Sequence, residues 1–103
     1  MTQNGDVSAA VLTVVGDVDT ASAGRISAHA TELLDTDDLQ RLVVDLGQVS
    51  FMDSTGVGLL IQIRSACVRR GIDLVLSDVP RGTRVLLEIS GLSDAFRLRD
   101  TPP

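Results

Sequence analysis

The chain has 103 residues, 44% of them hydrophobic and 22% charged, with 14 Asp and Glu against 9 basic residues and a net charge of −5. All of the cations are Arg, so Walker-A nucleotide binding, Schiff-base chemistry and a Lys general base are excluded. Only Arg69 and Arg70 adjoin in an otherwise scattered Arg set, which argues against a direct nucleic-acid interface.

One domain of this length buries a single core without staples. A single Cys (Cys67) leaves no disulfide within the chain, and a single His (His29) leaves no metal cluster of the usual kinds. No cofactor is expected. Met1 to Asp6 lack the basic and apolar regions of an export signal. No apolar run approaches the ~20 residues that cross a bilayer. The expectation is a soluble cytoplasmic protein without membrane insertion. Phe51 and Phe96 are the only aromatic residues, so Val, Leu, Ile and Ala must fill the core.

Ala9 to Val15 is short, apolar and β-branched and reads as a strand ended by Gly16-Asp17. Asp19-Thr20 then caps a helix over Ala21 to Leu34, where Ala23, Ile26, Ala30, Leu33 and Leu34 recur at helical spacing. The acidic run from Asp35 to Asp38 is a loop. Arg41 to Leu46 reads as a buried strand, and Gly47 to Asp53 as a loop carrying Phe51 and Met52. From Ser54 to Arg70 the spacing is helical again, through Val57, Leu60, Ile61, Ile63 and Cys67, and Gly71 closes the helix. Ile72 to Leu76 is a third strand. Val79-Pro80 opens a helix with Val85, Leu86 and Ile89 on one side, ended by Gly91. Ala95 to Leu98 is a short last strand.

Strands alternating with helices predict an α/β fold with a mostly parallel sheet of four to five strands packed by three helices. It forms one domain over 1–103, with its core from about residue 9 to residue 99. In such a fold, sites lie beyond the C-terminal ends of the strands. Gly16 to Thr20 and Gly47 to Thr55 both fall there, and the first contributes Asp17, Asp19 and Thr20.

Asp53-Ser54-Thr55-Gly56-Val57-Gly58 is the most informative stretch. Each of its two glycines, in the first turn of an apolar helix, costs roughly 1 kcal/mol against Ala. Small residues there let another backbone approach, from within the fold or from a partner. Ser54 lies at or next to the N-cap, which allows two readings. Its hydroxyl caps the helix, or it accepts a phosphate that the helix dipole favours and that repels a partner docked on an acidic rim.

The run from Val43 through Asp53-Ser54-Thr55-Gly56 to Leu60 resembles the signature of STAS-domain anti-sigma factor antagonists. Gly16-Asp17-Val18-Asp19 resembles the Gly-x-x-Asp element of that family. The first helix, the strand Ile72 to Leu76 and the late Ile89-Ser90-Gly91-Leu92 match in order. The resemblance implies a regulator that binds an anti-sigma factor, itself a serine kinase, and so frees a sigma factor. It also implies that the kinase phosphorylates Ser54, that the phosphorylated form lets go, and that a PP2C-type phosphatase restores it. Asp19, Asp53, Thr55 and Gly56 are carried over as the recognition surroundings of Ser54, and the protein would have no catalysis of its own. STAS domains also occur as constitutive scaffolds or regulatory subunits of stress-sensing assemblies and membrane transporters, the alternative reading here. Against the family pattern, the extra first strand of many members is expected to be lost or irregular in the short, polar segment before Ala9, and the C-terminal helix is expected to be missing after Arg99.

The partner surface is expected to include Asp17, Asp19, Thr20, Asp53, Thr55, Gly56 and Val57. Leu59 and Ile63 exceed what one buried stripe needs. They belong to a partner surface beside Ser54 or to burial between the sheet and a neighbouring helix. A hydrolase would need Ser54, His29 and an Asp in contact, but there is no Gly-x-Ser-x-Gly elbow and His29 sits mid-helix. Paired acid–base carboxylates among Asp17, Asp19 and Asp53 lack an aromatic platform or a pocket-forming insertion. Cys67 reads as a small core residue.

Overall fold

The computed structural model describes residues 8–100. Its elements are β1 (Ala9–Val18), α1 (Thr20–Leu34), β2 (Arg41–Met52), α2 (Ser54–Arg70), β3 (Asp73–Ser77), α3 (Arg81–Ile89) and β4 (Arg97–Arg99). The four strands lie side by side in chain order, and every pair is parallel. Each helix therefore carries the chain to the next position in the sheet, the connection that right-handed crossovers favour. A fifth strand ahead of Ala9 would fall outside the described residues.

The core is built on registered rows. Leu12, Val44, Leu76 and Leu98 pair across all four strands, and Leu42 pairs with Ala10 and Leu74 in the next row. Against these rows α1 places Ile26, Ala30 and Leu34, four residues apart, so they form one stripe. α2 adds Val57, Leu60, Ile63 and Cys67, and α3 adds Leu87, all within one apolar cluster. Phe96 joins this core, whereas Phe51 stays 56% exposed. At the other end of the sheet Asp73 holds Arg41 Nε at 3.0 Å and Arg97 Nη1 at 3.1 Å, joining the starts of β2, β3 and β4.

Two strand ends at the rim differ from the sequence reading, and for one reason. β1 runs past Gly16-Asp17 to Val18, and β2 runs through the expected loop to Met52. Thr13 and Val15 pair with Asp45 and Gln48, and Gly16 and Asp17 pair with Val49 and Phe51. At both places β2 carries one residue more than β1, so bulges absorb Gly47 and Ser50 without ending the ladder. Gly16 adopts φ 85°, a left-handed value that a side chain would resist. β3 stops opposite Asp45, so β1 and β2 alone continue and carry the starts of α1 and α2 to a common rim.

The helix ends agree with the local signals. Gly71, at φ 67°, terminates α2, and its N–H donates to the last carbonyls of the helix. Arg70 then ties this end to α1, donating to Leu34 O at 3.0 Å and to Asp35 Oδ1 at 2.7 Å. β4 is confined to Arg97–Arg99, starting later than the expected Ala95.

Leu76 is 0% exposed at the middle of its row. Leu76→Ala is expected to lower stability by about 2–5 kcal/mol. Urea titration would show this as a lower midpoint at an unchanged m-value.

Candidate functional site

The rim is made of two similar helix starts. At the first, Asp19 Oδ1 accepts from the N–H groups of Ala21 at 3.0 Å and Ser22 at 3.1 Å. Ser22 Oγ answers by accepting from Asp19 N–H at 3.1 Å and donating to Asp17 O at 2.9 Å, so the loop is locked at both ends. At the second, Asp53 Oδ1 accepts from Thr55 N–H at 2.9 Å and Gly56 N–H at 3.3 Å. The two starts are joined where Asp53 N–H donates to Val18 O at 3.4 Å.

In this arrangement Ser54 is not the cap. The capping carboxylate is that of Asp53, and Ser54 is the first residue of the helix, exposed. Among the described residues nothing hydrogen-bonds its hydroxyl. Thr20 holds the same position on α1, also exposed. The N–H groups of Thr55 and Gly56 are held by Asp53, so a phosphate on Ser54 would not find those two amides open. Asp17, exposed, and Asp19 and Asp53, half-buried, make the rim acidic.

The two glycines of α2 have different grounds. A Cβ at Gly56 would overlap Met52 Cγ and lie 3.0 Å from Met52 Sδ and Val18 Cγ1. The helix start therefore rests directly on the ends of β1 and β2, which is the close approach within the fold. Gly58 faces open space and borders a groove of about 280 Å³ between α1 and α2. Ala23, Gly24, Ser27, Thr55 and Gln62 border it too, so Thr55 reaches both the rim and the groove.

Val57, expected on a partner surface, is core instead, and for Leu59 and Ile63 the burial reading is the one the structure shows. Val57, Leu59 and Ile63 are buried because α1 and the sheet both pack on α2, which widens its apolar stripe. Gly56 is buried as well. The exposed members of the expected set are Asp17, Thr20 and Ser54, with Asp19, Asp53 and Thr55 partly accessible. Phe51 was missed as a surface residue. It borders a groove of about 230 Å³ with Val49, Ser50, Pro80 and Gly82. Its signal was hidden because a strand interrupted by Gly47-Gln48 reads as a loop.

His29 is exposed on α1, outside this rim. Burial pushes the Cys67 thiol up, with Asp73 adding to the rise and Arg70 opposing it, so the sulfur stays protonated near neutral pH. A larger cavity, about 390 Å³, lies away from the rim beside Cys67, Ile72, Phe96 and Arg97. Among the described residues no three His, Cys, Asp or Glu are placed to hold a metal, and no helix is long and apolar enough to cross a membrane.

The fold is a parallel α/β domain with two Asp-capped helix starts at one rim, the second of which leaves the Ser54 hydroxyl exposed. The STAS domain family matches residues 1–102, and the chain belongs to that family. It is 32% identical over 87 residues to an anti-sigma-B factor antagonist of Listeria monocytogenes, covering 84% of this chain and 75% of that protein. The anti-sigma factor antagonist SpoIIAA in its unphosphorylated form has the same fold, with a TM-score of 0.77 at 20% identity, covering 95% of this chain and 84% of that one. The phosphorylated form of SpoIIAA, from Bacillus, superposes with a TM-score of 0.72 at 20% identity, covering 95% and 86%. The STAS domain of a SulP transporter from Vibrio cholerae shares the fold too, with a TM-score of 0.71 at 22% identity, covering 89% and 73%.

The division of labour at the rim is measurable by denaturation. Asp53→Ala is expected to cost about 1 kcal/mol, the usual loss of an N-cap. Ser54→Ala should stay within about 0.5 kcal/mol of the parent. Gly56→Ala should cost about 1–3 kcal/mol by overpacking. Gly58→Ala, with open space around it, should be neutral or stabilising by up to about 1 kcal/mol.

Proposed function

We propose that this chain is an anti-sigma factor antagonist that docks on an anti-sigma factor with serine kinase activity, and that phosphorylation of Ser54 releases it. The observation that carries this reading is the Ser54 hydroxyl, exposed and unengaged because Asp53 does the capping. The Listeria relative supports the antagonist role, and the two forms of SpoIIAA support a phosphorylation switch. A PP2C-type phosphatase would reverse the modification. The chain then acts in the cytoplasm as substrate and ligand and contributes no catalytic group.

The chemistry asks little of the antagonist. The Ser54 oxygen forms a bond to the γ-phosphorus of ATP, the bridge to the β-phosphate breaks, and the hydroxyl proton leaves to a base of the kinase. The nearest carboxylate, Asp53, is held on the amides of Thr55 and Gly56 and keeps the first turn rigid for that transfer. Afterwards the net charge moves from −5 to about −7, with the whole change at one acidic rim. A docked kinase holds the remaining nucleotide phosphates close to Ser54. A like charge ~6 Å away costs about 3 kcal/mol at an effective dielectric of ~20, on the order of a hundredfold in affinity.

Calorimetric titration of a cognate anti-sigma kinase with three forms of the protein checks this. Ser54→Ala should bind as the parent does, while Ser54→Asp and the phosphorylated protein should bind at least about tenfold more weakly. Equal affinity for all forms refutes the switch. Incubation with kinase and ATP, followed by phosphopeptide mapping, should place the phosphate on Ser54.

A further inference from the structure

Phe51 is one of two aromatic side chains in the chain, and it stands more than half exposed near the end of β2. The ladder turns it outward. Gly16 pairs with Val49 and Asp17 pairs with Phe51, so Ser50 is an extra residue of β2 at that step. Strand residues alternate between faces, and one inserted residue reverses the alternation beyond it. In a regular ladder continued from Gly16 and Val49, Ser50 would stand opposite Asp17, and Phe51 would stand opposite Val18 and point under α2. The bulge gives that buried place to Met52, beneath Gly56, and leaves Phe51 on the opposite face beside the exposed Asp17. Re-aiming a side chain next to a site is a recurrent use of such bulges.

The ring borders the rim. Phe51 precedes Ser54 by three residues, a span of at most ~10 Å. On its far side a groove of about 230 Å³ separates it from the start of α3 at Pro80, Gly82 and Thr83. A Cβ on Gly82 would meet nothing within 4 Å, so this side of the groove is open. Val15, exposed two residues before Asp17 on the same face of β1, extends the apolar surface.

We infer that Phe51 is the anchor on which the anti-sigma kinase docks, which rests on the antagonist reading and names the surface it uses. A partner with its active site over Ser54 covers ~800 Å² in a standard interface, a patch ~30 Å across, and so reaches Phe51. Such an interface needs an apolar centre from which water is expelled. The rim itself offers Asp17, Asp19, Thr20, Asp53 and Thr55, all polar. Phe51 supplies the missing centre. The partner that fits inserts an apolar side chain into the groove between Phe51 and Gly82 and sets a basic side chain beside it, against Asp17. Because Phe51 faces away from α2, it contributes affinity in both states of Ser54, and the phosphate adds the switch.

Calorimetric titration of the anti-sigma kinase with the Ser54→Ala protein, in which the switch cannot act, reads the anchor by itself. Adding Phe51→Ala should weaken binding on the order of thirtyfold, the loss typical of an interface hot spot. Phe51→Tyr should restore most of it. Ile89→Ala, which truncates an exposed apolar side chain on α3, should bind as its parent does. Circular dichroism at the assay temperature should show all of these variants folded. With Ser54 intact, Phe51→Ala should raise the KM for its phosphorylation by a similar factor and leave kcat unchanged, as lost uniform binding does. Asp17→Asn should slow association and flatten its salt dependence. A photoreactive p-benzoylphenylalanine in place of Phe51, which keeps an aromatic ring there, should crosslink to the kinase, and one in place of Ile89 should not. Unchanged affinity of Phe51→Ala, an equal loss with Ile89→Ala, or equal crosslinking from both places overturns the anchor. Failure of the switch shows separately, as Ser54→Asp binding like Ser54→Ala, and leaves the result at Phe51 standing.

Discussion

The first turn of α2 rests on the ends of β1 and β2, with Gly56 where any side chain would collide with Met52 and Val18. The geometry of the rim follows from this contact. Because the helix starts so close to the strands, Asp53 is left in extended conformation at its head and reaches the amides of Thr55 and Gly56. The same closeness lets Asp53 N–H meet Val18 O and so fixes α2 against the loop that starts α1. A larger residue at position 56 would lift the turn and disturb every atom around Ser54.

With the cap assigned to Asp53, the hydroxyl beside it makes no hydrogen bond among the described residues. Under the proposed switch the chain needs only an accessible acceptor on a rigid frame, with the catalytic groups supplied by the kinase. The absence of Lys and the single His and Cys fit that role, and the one thiol is buried with its pKa raised. Acidic side chains at both helix starts then make an added phosphate a large local change rather than a small increment to a neutral surface.

The bulges of β2 build the rim. They let β2 continue past the end of β3, which carries both helix starts beyond the rest of the sheet. They also take up the irregularity of the ladder, while Ala9 to Val15 of β1 hold no charged residue. The rim and the run from Ala9 to Val15 therefore lie on different parts of β1. Aromatic anchors are nearly absent from both, because Phe96 is in the core and Phe51 stands alone at the end of β2.

The alternation of strands and helices, the one-domain α/β class, the Gly71 stop and the importance of the Asp53 to Gly58 stretch were legible in the sequence. They rest on spacing, caps and turn residues that act within a few positions along the chain. Chain order did not reveal that β2 runs through Gly47 and Gln48, because a bulge is defined only against the strand it pairs with. Nor did it decide between burial and exposure for Leu59 and Ile63 or keep Val57 off the partner surface, since the width of a helix's apolar stripe depends on how many neighbours pack on it. Local sequence placed Ser54 at a helix start, but only the fold, by setting Asp53 on the amides, decided that the Ser54 hydroxyl is exposed rather than the cap. Those outcomes belong to tertiary structure because they depend on what lies beside a residue in space.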